Sequence, residues 1–117
     1  MMSTNKETKP TDQEIIQKFN FMKQELTSIA QKIGELEQEK EEHQLVIDTL
    51  APLDANRTCY RLVGGVLVQK SIKEVLPAVT QNQQGISTLM NQLGVNYKKK
   101  EDEMTEYQKK YNIKIKN

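Results

Sequence analysis

The sequence has few of the residues that build small globular cores. It contains no tryptophan, only two phenylalanines and four tyrosines, and 36% of its 117 residues are hydrophobic. This composition is thin for a globular core and normal for a coiled coil. No apolar run approaches the ~18 residues of a membrane-spanning helix, and the polar first ten residues lack the apolar segment of a signal peptide. These absences predict a protein of the cytoplasm, with the nucleus open as a second location.

Cysteine and histidine occur once each, which excludes several kinds of site. Cys59 has no partner for an internal disulfide, and a lone thiol suits a reducing compartment. A nucleophilic cysteine needs a base nearby, whereas His43 lies well away on the predicted first helix. The sequence also lacks converging metal ligands and a glycine-rich phosphate loop. We therefore expect no enzyme activity, no metal and no cofactor.

Charge is abundant but balanced between the two signs. Seventeen Lys and Arg residues face sixteen Asp and Glu residues, which leaves a net charge of +1. Nucleic-acid-binding proteins usually carry a clustered basic surface instead. The acidic run at 35–42 and the basic run at 98–100 are expected to be solvated faces of helices. Neither nucleic acid nor a membrane is expected as a partner.

A seven-residue repeat dominates the first half of the chain. Thr11 and Glu14 form a capping box that predicts a helix start, and Pro52 requires the helix to end before it. The repeat lasts about five heptads and predicts a coiled-coil helix at about 11–50, after a disordered tail at 1–10. Its seam positions are Ile15, Phe19, Met22, Leu26, Ile29, Ile33, Leu36, Lys40, His43, Ile47 and Leu50.

A second repeat follows in the C-terminal half. Ser71 and Glu74 form another capping box, and a short helix at 72–76 should lead into Pro77, where the chain can kink before the second arm. The second helix is expected at about 72–112, and the residues at 112–117 leave the heptad and are expected to fray. The seam positions are Val79, Gln83, Ile86, Met90, Leu93, Tyr97, Lys100, Met104, Tyr107 and Tyr111.

Between the repeats lies a short stretch that predicts a β-hairpin at about 57–70. Gly64 and Gly65 suit a two-residue turn, because such turns need positive φ angles. The turn pairs Val63 with Val66 and makes the two arms antiparallel, with a polar layer from Lys40, His43 and Gln83 that fixes their register. An isolated hairpin with open edges is marginal in water and recruits other strands. The simplest solution is a sheet shared by the hairpins of several subunits.

The central segment also resembles a known family. Residues 57–77, RTCYRLVGGVLVQKSIKEVLP, are similar to the signature of prefoldin β-class subunits. The likeness extends to EEHQLVIDTL at 41–50 and to YNIKI at 111–115, and it covers about residues 13–115. Departures lie in the arms, where Gly34, Gly85 and Gly94 interrupt good helix. The resemblance implies one prefoldin β-type domain at 11–117.

Membership of that family implies a hexameric co-chaperone of two α-type and four β-type subunits. Their hairpins form a double β-barrel hub, and coiled-coil arms hold unfolded or nascent proteins such as actin and tubulin. The complex delivers these clients to the cytosolic group II chaperonin without ATP. The alternative is a structural coiled-coil adaptor or tether without client-binding activity, which explains the heptads equally well but not the hairpin.

Two sets of residues are expected to carry this function. Leu62 and Leu67 have an alternative role, packing on the chain's own helices, and Phe19, Met22, Met104 and Tyr107 have one as coil core. The expected hub residues are Thr58, Tyr60, Leu62, Val63, Gly64, Gly65, Val66, Leu67 and Val68. The expected client-binding residues at the arm ends are Ile15, Ile16, Phe19, Met22, Met104, Tyr107, Tyr111, Ile113 and Ile115.

Overall fold

Two helices of equal length flank a single hairpin in the computed structural model, which describes residues 9–114. Helix α1 spans Asp12–Leu50 and helix α2 spans Ile72–Lys110, 39 residues each. Strands β1, Thr58–Val63, and β2, Val66–Ser71, lie between them in the chain. This is the predicted fold class. The disorder expected at 1–8 and the client residue Ile115 lie outside the described residues.

Helix α1 begins at a complete capping box. The backbone N–H of Thr11 donates to the Glu14 carboxylate at 2.8 Å, and the N–H of Glu14 donates to the Thr11 hydroxyl at 3.1 Å. These bonds stabilise the charged carboxylate, so the backbone hydrogen bond from Thr11 lowers the pKa of Glu14. The helix ends at Leu50, two residues before Pro52, as the sequence predicted.

The hairpin has the predicted register. Val63 pairs with Val66, and the ladder continues to Thr58 opposite Ser71. Gly64 and Gly65 have φ angles of 56° and 82°, which is the type I′ turn that matches the twist of the strands. Because residues alternate between faces, Tyr60, Leu62, Leu67 and Gln69 share one face of the hairpin.

Helix α2 begins directly after β2 and continues through Pro77. The Glu74 carboxylate accepts hydrogen bonds from the N–H and the hydroxyl of Ser71, at 3.1 and 3.0 Å. The predicted short helix and the second arm are therefore one element. Pro77 lies near the helix start, where it removes only the bond to the carbonyl of Lys73. Ile72 is 1% exposed, and its N–H donates to the carbonyl of Arg57, which ties the connector to the helix.

The C-terminal end of α2 is capped, so the prediction of fraying is wrong for Asn112 and Ile113. Asn112 adopts a left-handed φ of 52°. Its N–H donates to Lys109 O at 3.3 Å, and the N–H of Ile113 donates to Gln108 O at 2.9 Å. These two bonds define a Schellman motif, in which asparagine is an accepted left-handed residue. The Gln108 side chain closes the turn by donating to Ile113 O at 3.1 Å.

The described chain divides into two compact units. The terminal unit comprises 9–31 and 94–114, and the hairpin unit comprises 32–93. Every predicted seam position of both helices is buried or half-buried, which confirms the two heptad registers. Phe19 and Leu26 are the buried apolar residues of the terminal unit, and Leu36, Ile72, Val75 and Val79 are those of the hairpin unit.

Candidate binding surfaces

The hairpin presents an apolar face to solvent. Leu62 and Leu67 are opposite each other in the ladder and are 67% and 68% exposed. The alternative that they pack on the chain's own helices is therefore wrong. Tyr60 is exposed on the same side of the ladder as the leucines, and Val63 and Val66 are exposed on the other side. We call these five residues together the hairpin face. Of the other expected hub residues, Thr58 and the two turn glycines are exposed, and Val68 is half-buried.

An open apolar groove of about 590 Å³ runs beside β1 in the hairpin unit. Tyr60 and Leu62 of β1 and Leu45 and Val46 of α1 line it. Val75 and Val79 of α2 also line it. Leu45 is a leucine on the exposed side of α1 and is 67% exposed. The heptad pattern gave no signal for Leu45 and Val46, because neither occupies a seam position.

A polar layer joins the two helices of the hairpin unit. The Gln83 side-chain amide donates to Lys40 O at 3.3 Å and to the side-chain oxygen of Gln44 at 2.8 Å. The predicted antiparallel register is therefore correct here. His43 lines a groove together with Ile86, and its Nδ1 lies 2.8 Å from the carbonyl oxygen of Glu39. One ring nitrogen of His43 is thus hydrogen-bonded within its own helix.

In the terminal unit, the start of α1 lies against the C-terminal cap of α2. Ile15, Ile16 and Phe19 line an open groove of about 490 Å³ together with Tyr111 and Ile113. Phe19 is 4% exposed and belongs to the coil core, whereas Ile16 is exposed and Ile113 is half-buried. Five of the nine expected client residues therefore meet at one place.

A second side of the terminal unit centres on an aromatic residue that the heptad pattern did not predict. Phe21 is 58% exposed and lines two neighbouring grooves, one with Met22 and Tyr107 and the other with Ile29. It lies off the seam, so the heptad gave no signal for it. A count of aromatic residues outside the seam would have found it.

Charged groups surround the aromatic side chains of the terminal unit. The Lys18 ammonium lies 5.1 Å from the centre of the Tyr107 ring, and the rings of Tyr107 and Tyr111 are 4.8 Å apart. Desolvation, with smaller contributions from Tyr111 and Glu14, raises the pKa of Tyr107. Lys100 pairs with Glu25 at 3.2 Å across the two helices, which confirms their antiparallel arrangement in this unit.

Within 9–114, no three His, Cys, Asp or Glu side chains are grouped to hold a metal ion. Every buried side-chain nitrogen or oxygen in that range has a hydrogen-bond partner. None of the helices described there combines the length and the apolarity that crossing a bilayer demands.

Comparison with known proteins agrees with the hairpin and the two helices. A family model described as "Prefoldin subunit" matches residues 13–117. The chain belongs to the prefoldin subunit family. Among its relatives, prefoldin subunit 2 of Homo sapiens is 44% identical over 88% of this chain and 67% of its own length. Prefoldin subunit 2 of Arabidopsis thaliana is 41% identical over 91% and 72%, and the probable prefoldin subunit 2 of Schizosaccharomyces pombe 43% identical over 91% and 94%.

A solved structure supports the fold. The crystal structure of the prefoldin beta subunit from Thermococcus strain KS-1 superposes with a TM-score of 0.77 and covers 87% of this chain and 90% of its own. Sequence identity is 18%, so this likeness concerns the fold alone. Prefoldin subunits are chaperone components and generally not enzymes, and membership implies a chaperone cofactor that works with other prefoldin subunits.

Proposed function

We propose that this chain is a β-type subunit of a hexameric, ATP-independent co-chaperone. The complex holds unfolded or nascent proteins such as actin and tubulin in the cytoplasm and delivers them to a group II chaperonin. Two α-type and four β-type subunits share a hub made from their hairpins. Within this chain, the hairpin face contributes to the hub and the terminal unit contacts the client.

The exposed hairpin face is the observation that carries the proposal. Five apolar residues on two short strands are each more than half exposed to solvent. Apolar patches of this kind mark interaction sites in monomers, and a two-stranded hairpin needs further strands or packing to be stable. A sheet shared between subunits supplies both, because it covers the apolar face and pairs the open edges.

The terminal unit suits a client that lacks a fixed structure. Its large exposed apolar residues are Ile16, Phe21 and Val95. Ile16 and Phe21 lie apart, and each borders an open groove with half-buried neighbours. Methionines and dispersed apolar side chains adapt to many partners. Phe19 is buried, so it reaches a client only where the two helices separate. Four half-buried seam residues also stay candidates for client binding, provided that the two helices separate. They are Met22, Met104, Tyr107 and Tyr111.

Light scattering coupled to size exclusion tests the proposal. The chain is measured alone and then mixed with an α-type prefoldin subunit. We expect the mixture to give one species of hexamer mass, because the α-type hairpins complete the hub. That species should suppress the aggregation of denatured actin without ATP.

A stable dimer that ignores the α-type subunit would contradict the proposal and favour a structural adaptor. Truncation of both helices in the terminal unit provides a second measurement. We expect the truncated complex to keep its mass and to lose suppression of aggregation. Full suppression by that complex would remove the client site from the terminal unit.

A further inference from the structure

The groove that Phe21 shares with Met22 and Tyr107 combines an exposed aromatic ring with charged neighbours. It has a volume of about 440 Å³ and is called the Phe21 groove below. We propose that it selects client segments in which a lysine or arginine lies next to an aromatic or aliphatic residue. This inference rests on the proposed client binding by the terminal unit and adds the chemistry of the segment that binds there.

The apolar lining of the Phe21 groove accounts for the hydrophobic part of such a segment. Phe21 is 58% exposed and lies off the seam, while Met22 and Tyr107 beside it are half-buried. A methionine next to two aromatic rings adapts to side chains of different shape. An apolar side chain that packs here removes the exposed phenyl ring from water, which is favourable in proportion to the area covered.

The basic groups of the Phe21 groove already face aromatic rings of this chain. The Lys18 ammonium lies 5.1 Å from the centre of the Tyr107 ring, and the Lys110 ammonium lies 5.3 Å from that of Tyr111. The negative face of an aromatic ring attracts a cation at such distances. Both lysines therefore have a favourable place within the terminal unit itself.

Two carboxylates of the Phe21 groove lack a partner of this kind. Glu25 pairs with Lys100 at 3.2 Å. Glu103 and Glu106 lie one turn apart on α2, line the groove and are exposed, and neither forms a salt bridge with another described residue. Their negative charge is available to a cationic side chain of the client. The same charge disfavours acidic segments, which gives the groove a preference between clients.

The groove at the start of α1 provides a comparison within the same unit. Ile16 is its exposed apolar residue, and its charged lining consists of Lys23, Lys114 and Asp12. Two basic groups and one acidic group give it the opposite charge balance. The preference for basic segments is therefore expected from the Phe21 groove and not from every apolar surface of the terminal unit.

Two fluorescein-labelled peptides test the preference on the assembled complex. One alternates lysine with phenylalanine and leucine, and the other has glutamate in place of each lysine. We expect the lysine peptide to bind at least about fivefold more tightly at low salt, and the difference to shrink as salt screens the charges. Fluorescence anisotropy measures both dissociation constants.

The outcome separates this inference from the proposed function. Equal binding of the two peptides by a complex that suppresses the aggregation of denatured actin would overturn the charge preference and leave the proposed function intact. Failure to suppress that aggregation would instead contradict client binding itself.

A matched pair of charge variants locates the preference in the groove. Glu103→Gln with Glu106→Gln removes two carboxylates from its lining, whereas Glu37→Gln with Glu41→Gln removes two exposed carboxylates of α1 outside it. We expect the first variant to reduce the preference for the lysine peptide by about threefold and the second to leave it unchanged. Equal effects of the two variants would assign the preference to net charge and overturn the role of the Phe21 groove.

Discussion

The hairpin unit and the terminal unit expose apolar groups in different ways. In the hairpin unit, five exposed apolar residues lie next to one another on paired strands whose positions are fixed by a hydrogen-bonded ladder. In the terminal unit, Ile16 and Phe21 lie apart on a helix, among charged residues such as Lys18 and Glu25. Apolar groups fixed on one hydrogen-bonded ladder favour one defined partner, whereas separate apolar groups suit partners of varied sequence. The two modes of exposure correspond to the two activities that we propose.

The largest effect is expected from charges on the hairpin face. Leu62→Lys with Val66→Lys places two ammonium groups on the surface that the hub must bury, and the cost of burying them is high. We expect assembly with the α-type subunit to fall by about 100-fold or more, with helix content unchanged. Light scattering measures the mass of the complex.

The control for this variant is Leu89→Lys with Val95→Lys, which changes one leucine and one valine that are also exposed. We expect this control to assemble normally. A similar loss of assembly in both variants would show that net charge, rather than the hairpin face, decides assembly. It would also contradict the proposed difference between the hairpin unit and the terminal unit.

Two phenylalanines of the terminal unit separate stability from client binding. Phe19 is 4% exposed and Phe21 is 58% exposed. Phe19→Ala should lower the free energy of unfolding by about 3–5 kcal/mol, because it leaves a cavity in the coil core. Phe21→Ala should change it by no more than about 0.5 kcal/mol and should reduce the suppression of client aggregation. Urea unfolding and an aggregation assay on the assembled complex measure the two effects. A Phe21→Ala complex with full suppression would remove this residue from the client surface.

The capped end of α2 gives a smaller effect. Asn112→Ala forces alanine into a left-handed conformation and should destabilise the terminal unit by about 1 kcal/mol. Asn112→Gly is the matched control, and we expect it to be neutral or slightly stabilising, because glycine tolerates positive φ. Thermal unfolding by circular dichroism compares the two. If alanine and glycine behaved alike, the Schellman turn would not contribute to stability.

Acid should weaken the two helix starts slightly, one in each unit. Hydrogen bonds from Thr11 and Ser71 lower the pKa values of Glu14 and Glu74 from the ordinary 4.5. Because the folded-state pKa is lower, each contribution to stability is present above the unfolded pKa and is lost as pH falls through the folded value. Melting temperatures from about pH 6 to about pH 3 should fall less for Glu14→Gln with Glu74→Gln than for the unmodified chain. Parallel curves would contradict the capping role of these carboxylates.

The sequence predicted what repeats and missed what occurs once. Heptad spacing placed every seam residue correctly, and the two glycines determined the ladder. The Schellman turn was missed, although an asparagine two residues after the pair Lys109 and Lys110 is a recognised stop signal for a helix. Phe21 and Leu45 were missed for another reason. The heptad period predicts which side of a helix is buried, but it does not predict which apolar residue on the exposed side lines a groove. That information arises only when distant segments are packed together.

The type I′ turn has a consequence for the handedness of its residues. No atom lies within 4 Å of a Cβ built on either Gly64 or Gly65, so there is room for a methyl group at both positions. Glycine is favoured because the backbone there has the mirror-image torsion angles of an ordinary L-residue. In a semisynthetic chain, D-alanine would fit this turn and L-alanine would strain it, although the two have the same volume and hydropathy. The chirality of the two turn residues, and not the space for a methyl group, therefore limits which residue the hairpin accepts there.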